Sequence, residues 1–201
     1  MRNILLFDGT RDPRFGLAMK PALSEIEKYL TLNVSPEPGS TDLDGYNFIK
    51  DLEAASFNPQ RDQCDIDFFT RAAMRCFDRS GFPAIDTILL TEKDFYRPGL
   101  NWCFGYAVDD TADRKYVVLS VARMKDPKLL THVLTHEMGH AYGAARQGRS
   151  NTEENLGSHC TNTCVMQQKL TVEAMMEYAK ILAARRDKFC GQCADEIKNY
   201  R

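Results

Sequence analysis

The chain has no long run of basic residues, and its 26 Lys and Arg are nearly matched by 28 Asp and Glu. That balance gives no electrostatic footprint for nucleic acid or for a membrane surface, and neither partner is expected. Long apolar stretches are also missing. The N-terminus, Met1-Arg2-Asn3-Ile4-Leu5-Leu6-Phe7-Asp8, carries only four consecutive apolar residues before a charge, too few for a secretory leader or a membrane span. A cytoplasmic location is the expectation that follows. Internal repeats and low-complexity tracts are absent too, which argues against a solenoid or a disordered linker.

What remains is 201 residues with 43% hydrophobic content, enough for one globular domain with its own core. Seven cysteines is an odd number, and four of them (Cys160, Cys164, Cys190 and Cys193) cluster near the C-terminus. In a reducing compartment that spacing reads as metal thiolates rather than disulfides. Cys64, Cys76 and Cys103 are scattered and read as small buried apolar residues.

Residues 4–7 read as a first strand, and Pro21 suits the first turn of a helix running to about Leu32. A short strand at 32–34, a loop at 35–40 and a second helix around Tyr46, Ile49, Leu52 and Ala55 follow. Residues 58–63 punctuate the chain before a third helix that ends near Ser80-Gly81. Strands are predicted at 85–91, 101–108 and 115–122, with turns at 96–99 and 109–113. Pro127 opens a long helix through Gly143; 144–157 is polar and rich in Gly, Ser and Asn, a surface loop; Thr171 caps a last long helix that ends near Phe189.

The segment with the most chemistry is Thr135-His136-Glu137-Met138-Gly139-His140. Helical residues four apart share a face, so His136 and His140 can present two imidazoles to one metal ion. Glu137, between them, is placed to take a proton from a metal-activated water and pass it to a leaving amine. His132 lies one turn earlier, but three successive four-residue steps drift around the helix and make a poor tetrahedron. It reads as a packed or surface histidine. Beyond the helix come His159-Cys160, then Cys164-Val165-Met166, and finally Cys190-Gly191-Gln192-Cys193. The last pair also admits a redox reading, although thioredoxin-like sites open a helix after a strand, and here the pair trails a helix at the chain's end.

Taken in that order, these elements resemble the archaemetzincins, metzincin-clan zinc metallopeptidases. Pro98-Gly99-Leu100-Asn101-Trp102-Cys103-Phe104-Gly105-Tyr106-Ala107 and Leu119-Ser120-Val121-Ala122-Arg123 are similar to the family's strand region, and the likeness extends over about residues 57–201. Where the family usually carries its third histidine this chain has Arg146, and the imidazole comes at His159, after an insertion, with Cys160 directly behind it.

The resemblance implies an α/β (α+β) metzincin-like fold: a twisted mixed sheet with packed helices, an active-site helix and a small C-terminal zinc-bound subdomain. The expected layout is one metallopeptidase domain, with residues 1–143 above the cleft and 144–201 below it. His136, His140 and His159 would hold a catalytic zinc, Cys160, Cys164, Cys190 and Cys193 a structural one, and Glu137 would act as general base. Met166 would be the apolar floor beneath the histidines. Substrate would lie extended along an edge strand, 116–122. Peptide-bond hydrolysis by a monomer is the expected activity, on a peptide or protein substrate; a zinc-stabilised peptide-binding protein without efficient peptidase activity is the alternative.

Overall fold

The computed structural model describes residues 1–36, 45–79, 85–111 and 114–200. The predicted loop at 35–40, the helix end at Ser80-Gly81 and the turn at 109–113 lie wholly or partly outside them. The chain divides into two units, one of residues 1–16 and 32–124, the other of 17–31 and 125–201.

The first unit is built on strands with apolar residues on both faces. In β5 (Asp86–Thr91) every residue is buried, and in β9 (Arg114–Ser120) all but the first, the mark of interior strands covered on two sides. Their sheet also holds β1 (Arg2–Asp8), β2 (Leu32–Pro36) and β8 (Gly105–Thr111), in the order β2-β1-β5-β9-β8. The first four run parallel and β8 pairs antiparallel with β9. The strand expected to offer its edge to substrate, 116–122, is therefore interior; the edges of this sheet are β2 and β8. Helices α2 (Gly45–Ser56) and α3 (Ile66–Arg79) bury Phe48, Ile49, Leu52, Phe69 and Phe77 against Phe7, Leu89, Tyr116 and Val118.

A second sheet, β3-β4-β6-β7, has no counterpart in the sequence reading beyond β7, most of which falls within the strand predicted at 101–108. It consists of β3 (Phe57–Asn58), β4 (Gln63–Asp65), β6 (Phe95–Arg97) and β7 (Leu100–Cys103). The run predicted as one strand at 101–108 is divided at Phe104 between the two sheets. Strands of two to four residues are too short to show an alternation of period two.

Helix α1 (Pro13–Glu27) begins eight residues before Pro21, which sits in its interior. Asp12 supplies the start, its carboxylate accepting from the Arg14 amide at 3.0 Å, a capping bond that satisfies one of the helix's free N-terminal donors.

The second unit contains α4 (Pro127–Ala141), the hairpin β10 (Thr152–Glu154) with β11 (Ser158–Cys160), α5 (Val172–Ala183) and α6 (Gly191–Lys198). Asp126 caps α4 by accepting from the Lys128 amide at 2.9 Å, with Pro127 at the first helical position. Leu129, Leu130, Val133, Leu134 and Met138 form its buried stripe. Two features differ from the sequence reading. The segment 144–157 is not all loop, since Thr152 to Glu154 pair antiparallel with Ser158 to Cys160. The long helix predicted to end near Phe189 is α5, which stops at Ala183 because the Lys188 ammonium donates to the carbonyls of Leu182 (2.6 Å), Ala183 (3.1 Å) and Arg185 (2.6 Å), closing off its C-terminal end.

Candidate metal centres

Among the described residues, two groups of side chains have the arrangement a metal ion needs, and both lie in the second unit. The first is His136, His140 and His159, whose ligand atoms all lie within 4.8 Å of one another. Helix α4 sets two of them one turn apart, and β11 delivers the third. The His136 and His140 rings are 4.7 Å apart at 78°, and His159 stacks on His136 at 5.3 Å and meets His140 edge-on at 5.1 Å.

The tautomers are set by the backbone. A carbonyl can only accept, so His136 Nδ1, 2.8 Å from the Val165 oxygen, carries the proton and leaves Nε2 as a lone-pair donor. His159 Nδ1 has the same relation to the Gly157 carbonyl at 3.2 Å. Metal-bound imidazoles commonly carry such a bond on the far nitrogen. His136 Nε2 and His140 Nε2 stand 3.1 Å apart, close to the edge of about 3.3 Å spanned by two nitrogens on a tetrahedral zinc. Burial, with the neighbouring imidazoles adding to it, holds His136 well below the ordinary imidazole value and takes His140 down to about 3; His159 is also lowered, again mainly by burial. Neutral rings are the form that ligates.

Glu137 is half-buried on α4 between the two helical histidines. His132 is not part of the cluster: it is 7% exposed, edge-on to the Tyr178 ring, and lines a cavity of about 470 Å³ with Thr135, Val165 and Met176. Burial, then the charge of Lys169, takes it down to about 4.

Met166 is fully buried, and it explains Gly139. A Cβ built on Gly139 would fall 2.3 Å from the Met166 sulfur and 2.9 Å from the Phe189 ring, so only glycine lets the helix backbone approach the sulfur that closely. Gly143, with φ of +75°, ends α4 in the left-handed conformation that suits glycine.

The second group is Cys160, Cys164, Cys190 and Cys193, also within 4.8 Å of one another and three of them buried. All are free thiols. Cys160 Sγ and Cys190 Sγ are 3.7 Å apart, far beyond a disulfide of about 2.05 Å and near the edge of about 3.8 Å for two sulfurs on a tetrahedral zinc. Polar donors surround the sulfurs: the Cys190 amide to Cys164 (3.2 Å), Asn162 to Cys190 (3.5 Å) and Arg149 Nη2 to Cys193 (3.2 Å). Burial pushes Cys160 up to about 12, while the hydrogen bond that the Cys193 thiol donates to Cys164, with burial behind it, pushes Cys193 up. Cys190 goes the other way, to about 7: burial raises it, but the Cys193 amide and the Asn162 amide outweigh that. Four sulfurs packed so tightly cannot all ionise without a cation among them.

Cys190 is also the N-cap of α6, so the Cys-x-x-Cys pair opens a helix, where the sequence reading has it only trail one. No strand precedes it, however, and its two thiols share their site with Cys160 and Cys164. What sequence reasoning missed are groups without a motif: the Val165 carbonyl, and Arg149 with Glu196, whose ion pair of 2.6 Å joins the stretch after α4 to α6.

Comparison with known proteins agrees with this chemistry. Residues 74–199 match the family model described as Peptidase family M54. The archaemetzincin of Nanoarchaeum equitans is 28% identical over 150 residues, 74% of this chain and 71% of that protein. In fold, the chain is similar to the crystal structure of archaemetzincin from Methanopyrus kandleri, with a TM-score of 0.62 and 23% identity over 98% of this chain and 93% of that one. It is similar as well to archaemetzincin from Archaeoglobus fulgidus complexed with malonate, with a TM-score of 0.59 and 22% identity over 98% of this chain and all of that one.

Proposed function

The chain belongs to Peptidase family M54 and is a zinc metallopeptidase, and from that premise we propose that His136, His140 and His159 hold its catalytic zinc and that Glu137 is its general base. The observation behind this is the convergence of three neutral imidazoles, two of them fixed by backbone carbonyls on their far nitrogens. Three protein ligands leave a fourth position for water or substrate, the pattern of a catalytic centre. Zinc bound there supplies a Lewis acid for the scissile carbonyl and brings the acidity of a water to a pKa of about 7.

The chain's own residues do the rest. The Glu137 carboxylate accepts the proton of the attacking water and delivers it to the nitrogen of the leaving amine, so one group serves as base and then as acid. The carbonyls of Val165 and Gly157 hold the His136 and His159 rings in the ligating tautomer. Met166 lies beneath the helix as an apolar support that need not ligate.

Cys160, Cys164, Cys190 and Cys193 hold a second, structural zinc in this reading, since a complete set of four thiolates leaves no place for substrate. The two units work as one peptidase domain of metzincin type, in a compartment reducing enough to keep thiols free.

The test counts metals and cleavage together. Purified protein and its Glu137→Gln variant are expected to carry two zinc ions per chain, with kcat/KM on unfolded protein lowered about 10²- to 10⁴-fold in the variant. Equal cleavage by the two removes Glu137 from the chemistry, and a single zinc per chain removes one of the two centres.

A further inference from the structure

The stretch between α4 and the hairpin, which the family resemblance implies is an insertion, is tied down at its base. The Ala145 amide donates to Glu196 Oε2 at 2.8 Å. Arg149, with its side chain 14% exposed, reaches the same oxygen through Nη1 at 2.6 Å and the Cys193 sulfur through Nη2 at 3.2 Å. The Arg149 carbonyl in turn accepts from the Thr152 hydroxyl at 2.8 Å, where β10 begins. From there the path to the imidazole cluster is a paired ladder, Thr152 opposite Cys160 and Glu153 opposite His159. The Thr161 amide closes the hairpin base on the Asn151 carbonyl at 2.9 Å.

One guanidinium thus joins α6, which bears Cys193 and Glu196, to the hairpin that bears His159. Its planar fork suits the task, as it serves a carboxylate and a sulfur at once. A thiolate cluster around a divalent cation keeps a net negative charge, which holds the guanidinium in place; four protonated thiols carry none.

We propose that Arg149 is a positioning residue for the imidazole site: it fastens the inserted hairpin to the thiolate cluster, so that the cysteine site fills first and His159 is then held where it completes the histidine site. This rests on the assignment of the two ligand sets above. It makes the two sites cooperative through a contact among this chain's own residues, and it gives the insertion a structural purpose.

Cobalt(II) titration of the metal-free full-length chain reads the two sites separately, because thiolate-bound cobalt has a strong sulfur-to-metal charge-transfer band that imidazole-bound cobalt lacks. In the unaltered protein the charge-transfer band saturates with the first equivalent, and the second enters without it. In Arg149→Ala the first equivalent still gives the band, and affinity for the second falls about 5- to 150-fold, the usual size of a coupling free energy between two sites. Arg149→Lys restores the sulfur contact but not the fork, and recovers part of that loss. Should Arg149→Ala not fold, Glu196→Gln, which leaves Arg149 present but loosens its clamp, is expected to weaken the second equivalent in the same sense.

An unchanged second affinity in whichever variant folds, or a first equivalent that enters without the charge-transfer band, overturns the proposal. An unaltered protein that takes up only one equivalent overturns the ligand assignment itself. Thermal stability alone does not decide the matter, since a merely structural Arg149 would move it too; the affinity of the second site at full occupancy of the first does.

Discussion

The imidazole and thiolate clusters share one unit of the molecule yet differ in access. Two of the three histidines are half-buried, whereas three of the four cysteines are buried. The histidines number one fewer than a tetrahedron requires, and the cysteines complete it. Position in the chain follows the same division: two of the imidazoles stand on one rigid helix, while the sulfurs come from a hairpin end, the turn after it and the start of α6. A centre that must admit substrate is incomplete and accessible; one that must hold distant segments together is complete and closed.

The strongest test of that contrast removes one ligand from each set. Cys193→Ser is expected to cost on the order of 10 kcal/mol of metal-linked folding energy, seen as loss of the cooperative thermal transition of the zinc-loaded protein. His159→Ala, by contrast, should abolish cleavage while keeping a cooperative transition and one zinc. If both variants melt alike, the division into catalytic and structural centres is wrong.

Acid provides the next test. Burial keeps His132 neutral in the folded chain, down to about 4, whereas an unfolded chain protonates its histidines near pH 6.5. Below that value the unfolded state binds more protons, so stability declines as pH falls from about 6.5 to 4, by about 3 kcal/mol from His132 alone. His132→Gln should make the pH–stability curve of the metal-free protein shallower across that window, the part due to the buried His136, His140 and His159 remaining, and leave two zinc ions bound at neutral pH. Loss of a zinc from that variant would return His132 to the ligand set.

The smallest effect concerns the support under the helix. Gly139→Ala places a methyl group against the Met166 sulfur and the Phe189 ring. We expect a loss of about 1–3 kcal/mol from overpacking, measured by denaturant unfolding, with the thiolate metal retained. No change would mean that Met166 yields freely.

The sequence reveals these clusters unevenly. Helix α4 is legible because its proline marks the start and its apolar stripe and histidines carry the same period of about 3.6. The thiolate set is legible from Cys-x-x-Cys spacing, and the family likeness brings in His159 despite Arg146. What could not be read depends on contacts between distant residues. The hairpin at 152–160 has short, polar strands and owes its order to Arg149, Asn151 and Glu196 rather than to alternation. Likewise the end of α5 is set by Lys188 bonding back to three carbonyls, a stop signal that no local propensity carries. Phe104 marks the passage from one sheet to another, and nothing in 101–108 distinguishes that from a continuous strand.

The close fit of Met166 against Gly139 has a chemical consequence as well. A thioether sealed at 0% exposure has no room for one more oxygen, so its conversion to the sulfoxide must await an opening of the surrounding packing. Peroxide labelling of that sulfur would therefore act as a slow clock, counting how often the packing between Gly139 and Phe189 breathes.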